Sequence, residues 1–527
     1  MIRQVIKNFS FNKTSLKSRH TCNLHVCLFN ISISMQKILF LCIFVSNLSY
    51  AQDKTGYQWF LYNFNHIDFR EMPPKVSLFS PLPFYETGST GTITMCNKYG
   101  DFMFQTGGCF IANKNFDIMK NGDSINSTYT YHAWCKFMEG DGDFPLTQSS
   151  IALPYPKKDS FYLSFNLDFD NLEGSNLPTP MHLYYSTIDM RQDSGLGAVI
   201  AKRQIAIKDT LSRGYLIATK HSNNTDWWII APKLNSNCIF SIRVSPNGVL
   251  SPQKTCLGNT IAEFDFGEQV CISPNGKKYV RTLGTDSVYI YNFDNSTGVF
   301  SNQKKLIPVE DNMPGYFQGC VFSSNSRYLY TTRSLKVYQF DTEAPDIQAS
   351  RTAVGDVSSI QQTIEKGELF ECRLAPDGKI YFSSPFNYRY LSIINRPNCP
   401  GKLSDFRPYS VELPFSSYDA LPNIPYFEQP PANYNCDSIA SGTIDISEQL
   451  FIYPNPANTN IIISNTYDFK TYEIVNITGQ LLIAGNIKGL LNESIDVSNL
   501  STGIYFLRLT NEAKERVAIK KFSVIHW

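Results

Sequence analysis

The sequence predicts an all-β protein, a β-propeller of about seven blades followed by a small immunoglobulin-like β-sandwich, and three observations carry that expectation. Turn motifs recur at a spacing of about fifty residues, the signature of stacked repeat units. Apolar residues alternate with period two, most cleanly at Phe161, Leu163, Phe165, Leu167 and Phe169, with Ser160, Tyr162, Ser164, Asn166 and Asp168 on the other face. Aromatic residues make up 14% of the chain, with 30 Tyr and 37 Phe, and these side chains fit pleated surfaces better than helix faces. At 527 residues the chain exceeds one ordinary core, so a large repeat array with an appendage is expected.

The first element along the chain is a leader. Met35-Gln36-Lys37 precedes an apolar run from Ile38 to Val45, and Ser49-Tyr50-Ala51 supplies small residues at the −3 and −1 positions. This pattern predicts a signal peptide over 35–51, cleaved after Ala51 and too short to span a bilayer. Cys42 sits inside the apolar run rather than at its end, which argues against lipidation. Residues 1–34, upstream of a good start methionine, read as an extension from a misassigned translation start.

The propeller is expected over 52–428. Gly248 in Val244 to Ser251 and Gly298 in Asp294 to Ser301 follow strands and stand fifty positions apart. A second turn, Ser273-Pro274-Asn275-Gly276, returns in weaker form at Ser323-Ser324-Asn325-Ser326 and again at Ala375-Pro376-Asp377-Gly378. Asn-Gly and Asp-Gly accept positive φ and close tight hairpins, so each marks a pair of strands. Short four-stranded sheets cannot bury both faces alone, whereas radial stacking hides all but their short edges.

Composition and cysteine usage narrow the function classes. Lys and Arg number 47 against 46 Asp and Glu, so no basic footprint for nucleic acid or an anionic membrane exists. Of 13 Cys, Cys22, Cys27 and Cys42 fall in the leader, and the remaining ten permit disulfides in an exported chain. Cys96 with Cys109, and Cys372 with Cys399, are two of many open pairings across hairpins; each Cys reads equally well as a small buried hydrophobe. The spacings form no C-x-x-C zinc pattern.

Candidate chemistry is sparse. Asp141-Gly142-Asp143 lacks the further spaced oxygens of a calcium loop and reads as a solvated turn. Asp168, Asp170 and Glu173 read as soluble acidic surface, and His132, His182 and His221 stand beside no nucleophile elbow or zinc motif. No catalytic residue, metal ligand or cofactor is therefore expected. His221 with Asp226, Trp227 and Trp228 admits two readings. One is a sugar platform; the other, favoured here, is a structural network locking one blade to the next.

The residues now in view resemble known families. Thr92 to Phe116, Leu183 to Gly197, Lys220 to Ala231 and Ala420-Leu421-Pro422-Asn423 resemble secreted propeller proteins of the Bacteroidetes, distant relatives of WD-type and YVTN-type propellers; Gly107-Gly108 and the turn at 323–326 depart from that pattern. Asp-Ser/Thr-apolar triplets at Asp123, Asp209, Asp286 and Asp437 resemble the O-glycosylation signal of exported Bacteroidetes proteins.

After Phe427 a polar, Pro-rich stretch reads as a linker over 429–447, and a domain over 448–527 follows with seven short alternating strands. In its sixth strand Tyr505, Leu507 and Leu509 share one face. This segment resembles the type A C-terminal sorting domain of the type IX secretion system. Its carriers are Tyr453, Pro454, Asn455 and Pro456, then Asn476 and Gly479, then Gly503 and Tyr505, and Lys521 in the basic end. The resemblance implies recognition by the type IX secretion machinery, passage across the outer membrane, and removal of the domain on the way. The expected product is a secreted or cell-surface, non-enzymatic propeller that binds a surface protein or glycan. A polysaccharide hydrolase or lyase, and a structural part of the cell surface or gliding apparatus, are the alternatives.

Overall fold

The computed structural model describes residues 53–79, 92–135, 146–170, 178–262, 268–283, 287–308, 318–358, 367–385, 388–417, 421–427, 436, 452–464, 469–487, 492–510 and 517–526. The expected leader, the Ala51 cleavage site, Asp141-Gly142-Asp143, Glu173, Asp286, Ala420 and the linker apart from Cys436 lie outside the described residues.

Among the described residues, seven antiparallel sheets occupy 58–78, 93–113, 150–208, 217–261, 270–306, 320–356 and 372–417, referred to below as the first to seventh sheets. Strands adjacent in sequence pair within each. In the fifth sheet these are Val270–Ile272, Lys278–Leu283, Ser287–Asp294 and Val299–Leu306.

Each sheet is bonded to the next. Gln58 Nε2 donates to Gly100 O (2.5 Å), Asn121 Nδ2 to Val199 O (2.7 Å) and Leu216 N to Gln148 O (2.9 Å). The Trp228 indole donates to Asn295 O (2.9 Å), Asn275 N to Ser326 Oγ (3.0 Å) and Thr332 Oγ1 to Phe370 O (2.9 Å). The seventh sheet meets the first where Asn63 Nδ2 donates to Ser416 O (2.7 Å). A succession of short meandering sheets whose last bonds to its first is a β-propeller.

The repeated turn owes its shape to local chemistry. Gly276 N donates to Ser273 O, Ser326 N to Ser323 O and Gly378 N to Ala375 O, each joining the first strand of its sheet to the second. The last residues of these turns have φ of +68°, +65° and +78°. Ser326 thus adopts a left-handed conformation that glycine takes without the Cβ cost. Gly298 is required for a different reason: a Cβ there would lie 2.5 Å from the Trp228 ring.

Stacking buries both faces of the inner strands. Phe161–Leu167 alternates as predicted, yet Ser164 and Asn166 are as buried as Leu163 and Phe165, because the second sheet covers one face and the fourth the other. The segment 421–427 closes the middle of the ring. Leu421 and Asn423 are buried there, with Leu421 N bonded to Glu371 Oε2 (2.9 Å) and Asn423 N to Thr92 O (3.1 Å).

The disulfides correct the two expected pairings. Cys109 bonds Cys135, Cys238 bonds Cys256 across neighbouring strands, and Cys399 bonds Cys436. Cys96 and Cys372 instead lie buried at the ends of first strands, in register with Phe102 and Phe382, so neither hairpin places a thiol opposite. Cys271 and Cys320 are buried thiols as well.

The C-terminal region forms two sheets. Ile452–Tyr453, Asn460–Ser464 and Asn492–Asp496 make one; Leu481–Asn486, Thr471–Asn476, Gly503–Thr510 and Val517–Val524 make the other. They enclose one core containing Ile461, Ile474, Leu507 and Phe522. Tyr505, Leu507 and Leu509 face inward, as their alternation predicts, and Ile504 and Arg508 face solvent. Among the described residues no helix is long and apolar enough to cross a membrane.

Candidate binding face and sorting domain

The first-to-second-strand turns of the propeller define one face. In the second, third and fourth sheets these are Asn97–Gly100, Tyr155–Ser160 and His221–Asp226. They border a cavity of about 590 Å³ lined by Lys98, Tyr99, Lys158, Phe161, Lys220 and Trp227, among others. Lys220 ends the strand Ile217–Lys220, and its Nζ lies 3.8 Å from the centroid of the Trp227 ring. Burial pulls this lysine down to about 8, opposed by Asp53 and Asp226.

His221, Asp226, Trp227 and Trp228 come together as the sequence suggested, but their polar atoms face the protein. Asp226 Oδ2 accepts from Arg243 Nε (2.8 Å) and Nη2 (2.7 Å), and Asp226 O accepts from His221 N (2.9 Å). His221 Nδ1 lies 3.0 Å from Asn223 N, and its ring stacks on Trp228 at 5.7 Å. The Trp228 indole reaches the fifth sheet, and Trp227 packs edge-on against Phe427 (5.6 Å).

Two polar arrangements escaped sequence reasoning. At the ring centre Asn423 Nδ2 donates to Ser150 O (2.8 Å) and Leu216 O (2.9 Å), while Oδ1 accepts from Arg373 Nη2 (2.8 Å). Burial lowers the Arg373 affinity for its proton, with Glu371 opposing. Gln269 similarly joins sheets, its Oε1 accepting from Cys320 N (2.9 Å) and Cys372 N (3.1 Å). The signal for Asn423 was its place in the Leu421-Pro422-Asn423 motif; Gln269 had none.

The second arrangement is Asp168 with His182, Oδ2 to Nδ1 at 2.7 Å. Burial raises the Asp168 carboxyl, and hydrogen bonds from the His182 and Met181 backbone and the His182 ring oppose it. Those bonds occupy the carboxylate in holding the chain at 181–182. Asp170 accepts from Ser127 Oγ (2.6 Å) and Thr130 Oγ1 (2.8 Å), so it too anchors a loop rather than facing solvent. Among the described residues no group of three or more His, Cys, Asp or Glu is placed to hold a metal ion.

The sorting motifs build specific turns and edges. Asn455 Oδ1 accepts from Ser523 N (3.0 Å) and Oγ (2.9 Å), tying the residue beside Pro454 and Pro456 to the last strand. Asn476 Oδ1 accepts from Thr478 N and Gln480 N, both 3.0 Å, and Gly479 closes that hairpin at φ +81°. Gly503 pairs with Val524, and Tyr505 donates its hydroxyl to Ser501 O (2.6 Å). Tyr453 pairs with Ile462, and Lys521 pairs with Phe506 with its side chain exposed.

Comparison with known proteins agrees with this geometry at the C-terminus. Residues 451–525 match the secretion system C-terminal sorting domain family. No curated protein matches the chain. Among solved structures, PorZ, a surface component of the type IX secretion system of Porphyromonas gingivalis, is 10% identical, with 90% of this chain and 74% of that chain covered and a TM-score of 0.35. The Cps50 (Swd1) β-propeller domain of Myceliophteria thermophila is 11% identical over 71% of this chain and 96% of that chain, TM-score 0.30, and the Dos1 propeller is 8% identical over 61% and 73%, TM-score 0.33. Likenesses this low bear on no activity. The sheets and the sorting domain together define an exported β-propeller protein. Its C-terminal sorting domain, residues 451–525, indicates type IX secretion to the cell surface.

Proposed function

We propose that the protein is a non-enzymatic binding module whose ligand, a surface protein or glycan, docks on the face formed by the first-to-second-strand turns. The observation that carries this reading is the cavity bordered by three neighbouring turns on a rigid ring, since loops held by such a scaffold are where recognition is placed. On the same reading the seven sheets are seven blades, the C-terminal sandwich is immunoglobulin-like, and His221, Asp226, Trp227 and Trp228 are the structural network behind the face. The domain limits proposed with it are signal peptide 35–51, propeller 52–428, linker 429–447 and sorting domain 448–527.

The test is to present a panel of polysaccharides and isolated outer-surface proteins to the purified protein. Saturable binding with no new reducing ends or cleavage products is the expected result. Release of product from a polysaccharide would replace this reading with the hydrolase or lyase alternative, and stable co-purification with a surface assembly would replace it with the structural one.

A further inference from the structure

We propose that the cavity between the turns of the second, third and fourth sheets binds an anionic saccharide, its carboxylate or sulfate held by Lys220 with Lys98 and Lys158 at the mouth. This rests on the binding reading above and names its ligand class.

The fold's own repeat separates what the scaffold needs from what it does not. In the fifth, sixth and seventh sheets the turn is built by Ser273 to Gly276, Ser323 to Ser326 and Ala375 to Gly378, with no lysine at the turn itself. The second sheet closes its turn with the same backbone bond, Gly100 N to Asn97 O (2.9 Å), and the Asn97 side chain accepts from Tyr99 N (2.9 Å) and Asp101 N (3.0 Å). The Lys98 and Tyr99 side chains take no part in closing it, and Tyr99 stands 65% exposed. The third sheet inserts Lys157 and Lys158 between Tyr155 and Ser160, closed by Lys158 N to Tyr155 O (3.1 Å). The side chains of Lys98 and Lys158, on two adjacent turns, and of Lys220, at the strand end beside a third, take no part in closing those turns and line one cavity, which marks a site rather than a fold determinant.

The chemistry converges as well. Lys158 Nζ lies 3.9 Å from the Tyr155 ring centroid, Lys98 Nζ 5.2 Å from that of Tyr99, and Lys220 Nζ 3.8 Å from that of Trp227. A ring quadrupole attracts an ammonium without consuming its N–H donors, so these donors are left for a ligand. Among the described residues Lys220 has no carboxylate within salt-bridge distance; Asp226, the acid of its own hairpin, is engaged by Arg243 at 2.7 Å. Burial depresses its proton affinity, and Asp53 and Asp226 only partly oppose that effect. Against four lining lysines stand only Asp53 and Asp159, and Thr55, Ser160 and Thr225 add small hydroxyl and backbone groups. Lysines for the anion, the exposed Tyr99 ring for a sugar face and scattered hydroxyls match a polyhydroxylated anion better than a run of acidic side chains. The volume lies in the range of small-ligand pockets.

Isothermal titration of the full chain with trigalacturonate and with a sulfated disaccharide tests the proposal, with maltotriose and hexaglutamate as comparators. At least one anionic saccharide is expected to bind, maltotriose and hexaglutamate not. Lys220→Met is expected to weaken binding about tenfold or more, the loss of one charge-assisted hydrogen bond. Lys98→Ala and Tyr99→Ala, both on a turn whose closure they do not make, are expected to weaken it while leaving thermal unfolding unchanged, which keeps the proposal testable should Lys220→Met fold poorly. Equal binding of maltotriose, tighter binding of hexaglutamate, or unchanged affinity in the surface variants would overturn the ligand assignment. If both anionic saccharides fail while another member of the broader panel binds, the ligand class is wrong and the binding reading stands.

Discussion

Replacing Asn423 with alanine tests whether the segment 421–427 holds the ring together. The amide bridges three sheets: it donates to Ser150 O and Leu216 O and accepts from Arg373 Nη2, at 2.8, 2.9 and 2.8 Å. Two neutral bonds are worth about 1 kcal/mol each and a charge-assisted one about 1.5–3 kcal/mol, so Asn423→Ala should cost about 3–5 kcal/mol. The upper part of that range is expected, because both carbonyls and the buried Arg373 would be left short of protein partners. Against a typical folding stability of about 5–15 kcal/mol, this is a severe change. Guanidinium unfolding followed by tryptophan fluorescence measures it, since Trp227 and Trp228 are buried. Asn423→Asp sharpens the test: it retains an acceptor for Arg373 but turns an oxygen toward two carbonyl oxygens, and should destabilise at neutral pH as well. A loss below about 1 kcal/mol for Asn423→Ala would refute the reasoning and make 421–427 a passive filler.

Further outcomes follow from single sites. Asp226→Ala should lower stability by about 2 kcal/mol through the exposed loss of its bonds to Arg243, with chemical unfolding as the readout; an unchanged midpoint would count against the network. Cys96, Cys271, Cys320 and Cys372 should resist iodoacetamide in the folded protein and react once it is unfolded without reductant, because burial pushes all four thiols up, Cys96 to about 12. His66 is held down to about 4, chiefly by burial, with Asp68 opposing and Arg70 and Lys75 adding. Because the unfolded chain takes up this proton near pH 6.5 and the folded one near 4, stability present above pH 6.5 should fall as pH drops through that window, by up to about 3 kcal/mol. His66→Gln should flatten that part of the stability profile, and an identical acid slope in the variant would exclude His66 as its source.

The legible parts of the fold are those set by local chemistry. Ser273 to Gly276 and Ala375 to Gly378 close hairpins because Asn-Gly and Asp-Gly tolerate positive φ wherever they occur, and the seven C-terminal strands follow from alternation alone. The sorting domain was readable because its turns and strands are continuous segments of sequence. Cysteine pairing was not: Cys109–Cys135 and Cys399–Cys436 bring together residues 26 and 37 positions apart that no hairpin register relates. Asn423 was noticed as part of a motif, yet its bonds to Ser150 and Leu216 span 273 and 207 residues and have no local trace. Lys98, Lys158 and Lys220 went unremarked as a group for an instructive reason. A search for repeats rewards the residues that shape the turns, whereas these lysine side chains shape none of them.

The Cys399–Cys436 disulfide decides where a mechanical load on the C-terminus would go. The sorting domain is the part addressed to the secretion machinery, and any traction on it would reach the propeller along the chain that follows Cys436. The covalent bond passes that traction to Cys399, in the loop after the strand Tyr388–Ile394, before it can act on 421–427. Asn423 therefore lies inside the covalently closed segment 399–436, and a pull on the C-terminus is passed to Cys399 before it acts on the keystone.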